Sequence, residues 1–150
     1  MKVWVGIDVG AKGAVAVINK DNDVLELMDY SDNLADDLTM IKAKYDVSMM
    51  VVEKVSAMPG QGVTSMFSFG IKFGEILGIC NTLGLPFVLV RPQEWMKSLG
   101  LPKDKNQRKK AIGSMAKSMF PGCDIYGPKG GLKDGRSDAL MMASYCKRTY

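Results

Sequence analysis

The sequence contains no histidine. That absence excludes Ser-His-Asp and Cys-His nucleophile systems, histidine-ligated zinc and imidazole acid–base chemistry. Cysteine is scarce as well. Cys80, Cys123 and Cys146 are odd in number and far apart, which excludes a CxxC pair and a disulfide framework. They read as small buried hydrophobes in a reducing compartment. No uninterrupted apolar run approaches the roughly 18 residues of a membrane span. The opening MKVWVGID reads as a strand rather than a signal peptide. The expectation is a cytoplasmic protein with no membrane association. Any hydrolysis would rest on carboxylates, lysines or hydroxyls, or on a metal held by oxygen.

What is present fits one α/β domain spanning residues 1–150, with 47% hydrophobic residues. Strands are expected over Lys2–Ile7, Ala14–Ile18 and Val24–Met28, joined by turns at Gly10–Gly13 and Asp21–Asp23. They form an antiparallel meander. Ser31 is the expected N-cap of a helix carrying Leu34, Leu38 and Ile41 on one face. Ser48–Val52 is a short, buried strand. A loop around Met58–Gly62 precedes a helix from about Thr64 to Thr82. Pro86–Val90 is a further strand, and Pro92 opens a short helix. Lys103–Lys110 opens a basic helix that runs to about Met119. Pro121–Gly131, rich in Gly, Pro and Lys, reads as a mobile loop before a last helix from about Asp134 to Arg148. The order β-β-β-α-β-α-β-α-α joins an antiparallel meander to parallel strands.

The net charge of +4 comes from 20 basic and 16 acidic residues, and it is unevenly spread. Residues 1–90 hold seven basic and eleven acidic side chains, and residues 91–117 hold eight and two. A basic half beside an acidic half suits a phosphate backbone, and it equally suits a solvated helix face.

Four acids interrupt apolar patterns. Asp8 ends the first strand, a common ligand position in α/β sheets, or else a solvated strand end. Glu53 follows Met49-Met50-Val51-Val52, and a charge so near a core needs a partner such as Lys54 or Lys12, or a metal. Asp134 and Asp138 lie one turn apart. Asp134 alone could be an N-cap, whereas Asp138 heads the apolar stripe Ala139, Met142, Ala143 and Cys146. Arg136 would pair with a carboxylate or contact a phosphate. Four carboxylates suit hard divalent ions, as in two-metal phosphodiester hydrolysis, provided that they converge in space.

Gly6-Ile7-Asp8-Val9-Gly10, followed by the Gly13–Val17 strand, resembles the first motif of the ribonuclease H-like superfamily. Val51–Val55, Ala57–Gly62, Arg91-Pro92-Gln93-Glu94-Trp95 and Gly135–Leu140 narrow the likeness. Together they resemble the RuvC-like Holliday junction resolvases, in the variant common among phages, over nearly the whole chain. The resemblance implies a five-stranded mixed sheet of order 3-2-1-4-5 flanked by helices, and a homodimer. It also implies paired cuts in four-way DNA junctions with two Mg²⁺ ions per site, or Mn²⁺. The protein would then act in the cytoplasm, that of the host if phage-encoded.

Asp8, Glu53 and Asp138 match the family's acids. Bacterial members place a fourth acid three residues before the last, which here is Gly135; Asp134, one residue earlier, is the substitute. The bacterial aromatic wedge falls at Ser56, so Met58, Phe67 or Phe69 would take that role. Lys12, Arg91, Lys103, Lys105, Arg108, Lys109, Lys110 and Arg136 would hold phosphates. The family's dimer helix corresponds to Val63–Cys80, with Met66, Phe69, Gly70, Phe73, Gly74 and Leu77 at the interface; the alternative is a helix that merely covers its own sheet. Trp4 and Trp95 read as core.

Competing readings remain. The sugar kinase and actin-like ATPase fold shares the DxG turn but needs a second domain. RNA-processing nucleases of similar size lack a glutamate in the context of Glu53. A catalytically inactive DNA-binding or assembly module would keep the fold. Within the nucleases, Y-junctions and forks are alternative substrates.

Overall fold

The computed structural model describes residues 1–54, 56 and 59–150. Five strands form one mixed sheet in the order β3-β2-β1-β4-β5. They are β1 (Lys2–Asp8), β2 (Ala14–Asn19), β3 (Val24–Asp29), β4 (Asp46–Glu53) and β5 (Phe87–Val90). The first three make the expected antiparallel meander, and β4 and β5 run parallel to β1. Five helices complete the fold: α1 (Leu34–Lys44), α2 (Val63–Leu83), α3 (Pro92–Met96), α4 (Lys105–Met119) and α5 (Asp134–Thr149). Three helices follow β5, at Pro92, Lys105 and Asp134, as the sequence signals indicate.

Strand alternation divides the core in two. Val3, Val5, Ile7, Val15, Val17, Met50 and Val52 join α1 and α2 on one face. Trp4, Ala14, Ala16, Ile18, Val51 and Val90 join α3, α4 and α5 on the other. α5 lies very close to β1. A Cβ on Gly6 would stand 2.1 Å from the Ala139 carbonyl oxygen and 2.5 Å from the Ala143 nitrogen. Small residues on both sides, Gly6 and Ala16 against Ala139 and Ala143, make this approach sterically feasible. Asp8 and Glu53 share parity with Gly6 and Val51, so both acids fall on the α5 face at the carboxyl edge of the sheet.

Several local expectations are corrected. Ser31 does not cap α1; Asn33 holds that position, while the Ser31 hydroxyl accepts from the Asn33 N–H at 3.1 Å and stabilises the preceding turn. Asp104 caps α4 by accepting from the Gln107 N–H at 2.9 Å, so the helix begins at Lys105. Residues 121–131 are tied down rather than loose. Ile125 is fully buried, Tyr126 bridges Leu132, and the Lys133 N–H donates to the Ile125 carbonyl at 2.7 Å. Cys80 and Cys146 are buried, Cys123 is half-buried, and all three are free thiols.

α2 departs furthest from an ordinary surface helix. Its inner stripe, including Phe73, Ile76 and Cys80, packs on the sheet. Its outer stripe is also apolar: Val63, Phe67 and Ile71 are 86%, 71% and 55% exposed. The sequence was expected to hold no apolar run of membrane length. Instead, by length and composition alone, α2 is apolar enough to cross a membrane.

Candidate active site

β1 and β4 run parallel with Ile7 opposite Val52, so the next residues, Asp8 and Glu53, end neighbouring strands. α5 crosses this edge and contributes Asp134 and Asp138 from its first turns. Asp134 is the first helical residue, with Lys133 as the cap, and its negative charge suits the helix N-terminus.

The acids share one electrostatic field. Burial, then the charges of Glu53, Asp138 and Asp134, push the Asp8 carboxyl up to about 9. Burial, with Glu53 and Asp134, pushes Asp138 up to about 7. Burial also raises Glu53, against a lowering by its hydrogen bond from Trp95. Asp138 Oδ1 is buried without a hydrogen-bond partner among the described residues. An orphaned carboxylate oxygen amid mutually repelling acids is costly unless a cation compensates. The oxygen-only donor set therefore fits a hard divalent ion. Among the described residues, no three acidic or thiol side chains are already drawn around one point tightly enough to cage an ion.

Basic residues divide into four groups. Lys109 forms an ion pair with Asp134 at 3.1 Å and, with Arg108, lowers Asp138. Lys12, Arg91, Lys103, Lys105 and Lys110 are exposed around this edge or along α4. Arg108 is partly buried, with its guanidinium donating to the Lys103 carbonyl at 3.3 Å. Arg136 leaves the phosphate-binding set. Its side chain is only 14% exposed and is held by Asp29 at 2.7 Å and Asp124 at 2.8 Å. This clamp ties the first turn of α5 to the end of β3 and to the 121–131 segment.

The α2 residues expected at a dimer interface do not share one exposed face. Phe73 packs toward the sheet, and a Cβ on Gly10 would lie 3.3 Å from the Phe69 ring. Met66, Phe69 and Phe73 also line a groove of about 760 Å³, together with Lys54, Gln93 and Arg91. Leu77 is half-buried. Gly70 and Gly74 remain exposed as expected, and Val63, Phe67 and Ile71 flank them instead. Of the wedge candidates, Phe67 is exposed, Phe69 is partly buried, and Met58 lies outside the described residues.

Sequence reasoning missed one contact to the site. Trp95, 1% exposed, donates its indole Nε1–H to Glu53 Oε2 at 2.9 Å. A tryptophan in a short helix reads as core, and Trp95 is core as well. A polar atom on a buried side chain was the available signal.

The fold is the ribonuclease H-like fold in its RuvC-type form. No protein-family model and no curated relative matches the sequence. Solved structures do match. Thermus thermophilus RuvC in complex with Holliday junction substrate superimposes with a TM-score of 0.68 at 15% identity, over 95% of this chain and 90% of that one. A second Thermus thermophilus RuvC structure gives 0.65 at 16% identity, over 97% and 96%. The yeast mitochondrial Holliday junction resolvase Ydc2 gives 0.58 at 15% identity, over 97% and 77%.

Proposed function

We propose that this protein is a metal-dependent endonuclease that resolves four-way DNA junctions by paired, symmetric cuts. The reading is supported by the placement of Asp8 and Glu53 at neighbouring strand ends and of Asp138 in the helix that crosses them, in a fold shared with junction resolvases. Asp134 completes the acidic set.

Two Mg²⁺ ions, or Mn²⁺, held by these acids would supply activation of the attacking water and stabilisation of the departing 3′ oxygen. Asp8, Glu53 and Asp138 act as ionised oxygen ligands, so they must give up the protons that burial otherwise favours. Lys12, Arg91, Lys103, Lys105, Arg108 and Lys110 offer charge to the phosphate backbone without reading bases. Lys109 joins them when it leaves Asp134. The products are a 5′ phosphate and a 3′ hydroxyl.

The reading includes a homodimer, because two opposed cuts need two sites related by a two-fold axis. The exposed apolar stripe of α2 supports it, with Gly70, Gly74 and Gly78 open to solvent. Phe67, exposed on the second turn of the same helix, is the candidate wedge at the junction centre.

The test uses labelled four-way junction, Y-fork, linear duplex and single strand, each with Mg²⁺, Mn²⁺ or EDTA. Paired nicks in the junction are expected, lost with EDTA and in Asp8→Asn. Equal cutting of linear duplex sinks junction selectivity, and cutting that survives EDTA sinks the metal mechanism. Junction binding without cutting under any metal would favour the inactive DNA-binding module.

A further inference from the structure

Trp95 sits in the fourth position of α3, a helix of five residues. So short a helix has little stability of its own. Its entry is nevertheless well fixed. Pro92 occupies the first position, where a missing N–H costs nothing. The Arg91 N–H donates to the Glu94 carboxylate at 2.8 Å, and the Glu94 N–H donates to the Arg91 carbonyl at 2.9 Å. This local frame delivers the indole into the apolar cluster beneath α5, beside Val51 and Val90. There its Nε1–H meets Glu53 Oε2 at 2.9 Å.

The second tryptophan provides an internal comparison. Trp4 packs against the same cluster, yet its Nε1 is buried with no hydrogen-bond partner among the described residues. This core therefore tolerates an unpaired indole, and packing alone does not account for Trp95 meeting an acid.

We infer that Trp95 is a positioning residue for Glu53, holding one carboxylate oxygen so that the other is presented to divalent ions. A hydrogen bond to one oxygen fixes the carboxylate plane and removes a lone pair from the set open to metal. Groups that orient ligands in this way typically contribute about 10- to 100-fold in metal affinity. The inference rests on the metal site of the proposed nuclease, and it can fail separately from the nuclease reading.

The test is calorimetric titration of the DNA-free protein with Mn²⁺. Trp95→Phe keeps an aromatic ring and removes the N–H. The expected result is about 10- to 100-fold weaker binding, with Trp4→Phe unchanged. Should Trp95→Phe fold poorly by circular dichroism, benzothienylalanine placed at position 95 keeps the bicyclic shape and still lacks the donor. An affinity within twofold of wild type in the folded variant overturns the inference, as does a wild-type protein that binds no Mn²⁺. Junction cleavage is measured in parallel. A wild type that binds Mn²⁺ but cuts no branched DNA sinks the nuclease reading and leaves the role of Trp95 standing. A wild type that cuts, alongside a Trp95→Phe protein of unchanged Mn²⁺ affinity, does the reverse.

Discussion

Gly135, in the first turn of α5, lies so close to the turn after β1 that a Cβ there would stand 1.9 Å from the Lys12 carbonyl oxygen. This contact explains why no acid occupies the position. Any side chain would push α5 away from the sheet and carry Asp134 and Asp138 with it. Gly135→Ala is therefore expected to destabilise the fold by about 1–3 kcal/mol, the usual cost of overpacking, and to reduce metal-dependent cleavage sharply. Thermal melts and cleavage rates check both. Gly135→Asp should not rescue Asp134→Asn. Retained stability and activity in Gly135→Ala would contradict the close approach.

That glycine also marks how far the sequence alone could be read. The meander and the positions of Asp8 and Glu53 at strand ends were legible in the strand and turn signals, whereas the strand order came only with the family resemblance. The apolar stripe of α5 was equally regular, and Ala139, Met142, Ala143 and Cys146 are all buried. Contacts between distant elements were not legible. Nothing local distinguishes Lys109, paired with Asp134, from Lys110, which is exposed. Arg136 read as a phosphate ligand because Asp29 lies 107 residues away. The segment 121–131 has loop composition, but the burial of Ile125 and the Tyr126–Leu132 bridge hold it.

The elevated carboxyls fix the sign of a pH effect. Asp8 at about 9 and Asp138 at about 7 are held above their unfolded values near 4. Raised acid pKa values stabilise the fold at low pH, and that contribution is lost as pH rises through the folded values. The melting temperature in EDTA is thus expected to fall from about pH 5 to pH 9. Divalent ions must displace the same protons, so their apparent affinity should rise with pH, by up to about tenfold per unit for each proton released. Mg²⁺ should therefore stabilise the protein more at pH 9 than at pH 6. A metal-free melting temperature that climbs over this range would contradict the proposed field.

Lys109 competes for the same acids. Its ammonium pairs with Asp134 and lowers Asp8 and Asp138. A fixed protein cation repels a divalent ion and occupies one of its ligands. The pair is partly exposed, so its worth lies within about 0.2–1 kcal/mol. Lys109→Ala is expected to bind Mn²⁺ at pH 9 up to about fivefold more tightly, by that same range. Metal-free junction binding should weaken at the same time, with a smaller salt slope. Weaker Mn²⁺ binding would show instead that Lys109 holds Asp134 in place for the ion.

Gly74 tests the dimer in a way that ordinary interface mutations do not. Three glycines in a helix interior cost about 1 kcal/mol each relative to alanine, and nothing among the described residues requires them: a Cβ at Gly70, Gly74 or Gly78 would meet none of their atoms within 4 Å. Gly6 and Gly135, by contrast, are dictated by backbone contacts inside the chain. A costly ridge with no internal cause, bordered by the exposed Val63, Phe67 and Ile71, has the form of a surface on which a second α2 lies at close range. Gly74→Ala should then have opposite effects on two measurements. Denaturant unfolding of the dilute monomer should show a gain of about 1 kcal/mol, whereas sedimentation equilibrium should show a weakened dimer. Ile71→Asp should also dissociate the dimer, by burying a charge. A Gly74→Ala dimer as tight as wild type, together with an intact Ile71→Asp dimer, would remove α2 from the interface. Co-sedimentation of the wild type with lipid vesicles would then assign its apolar stripe to a membrane surface.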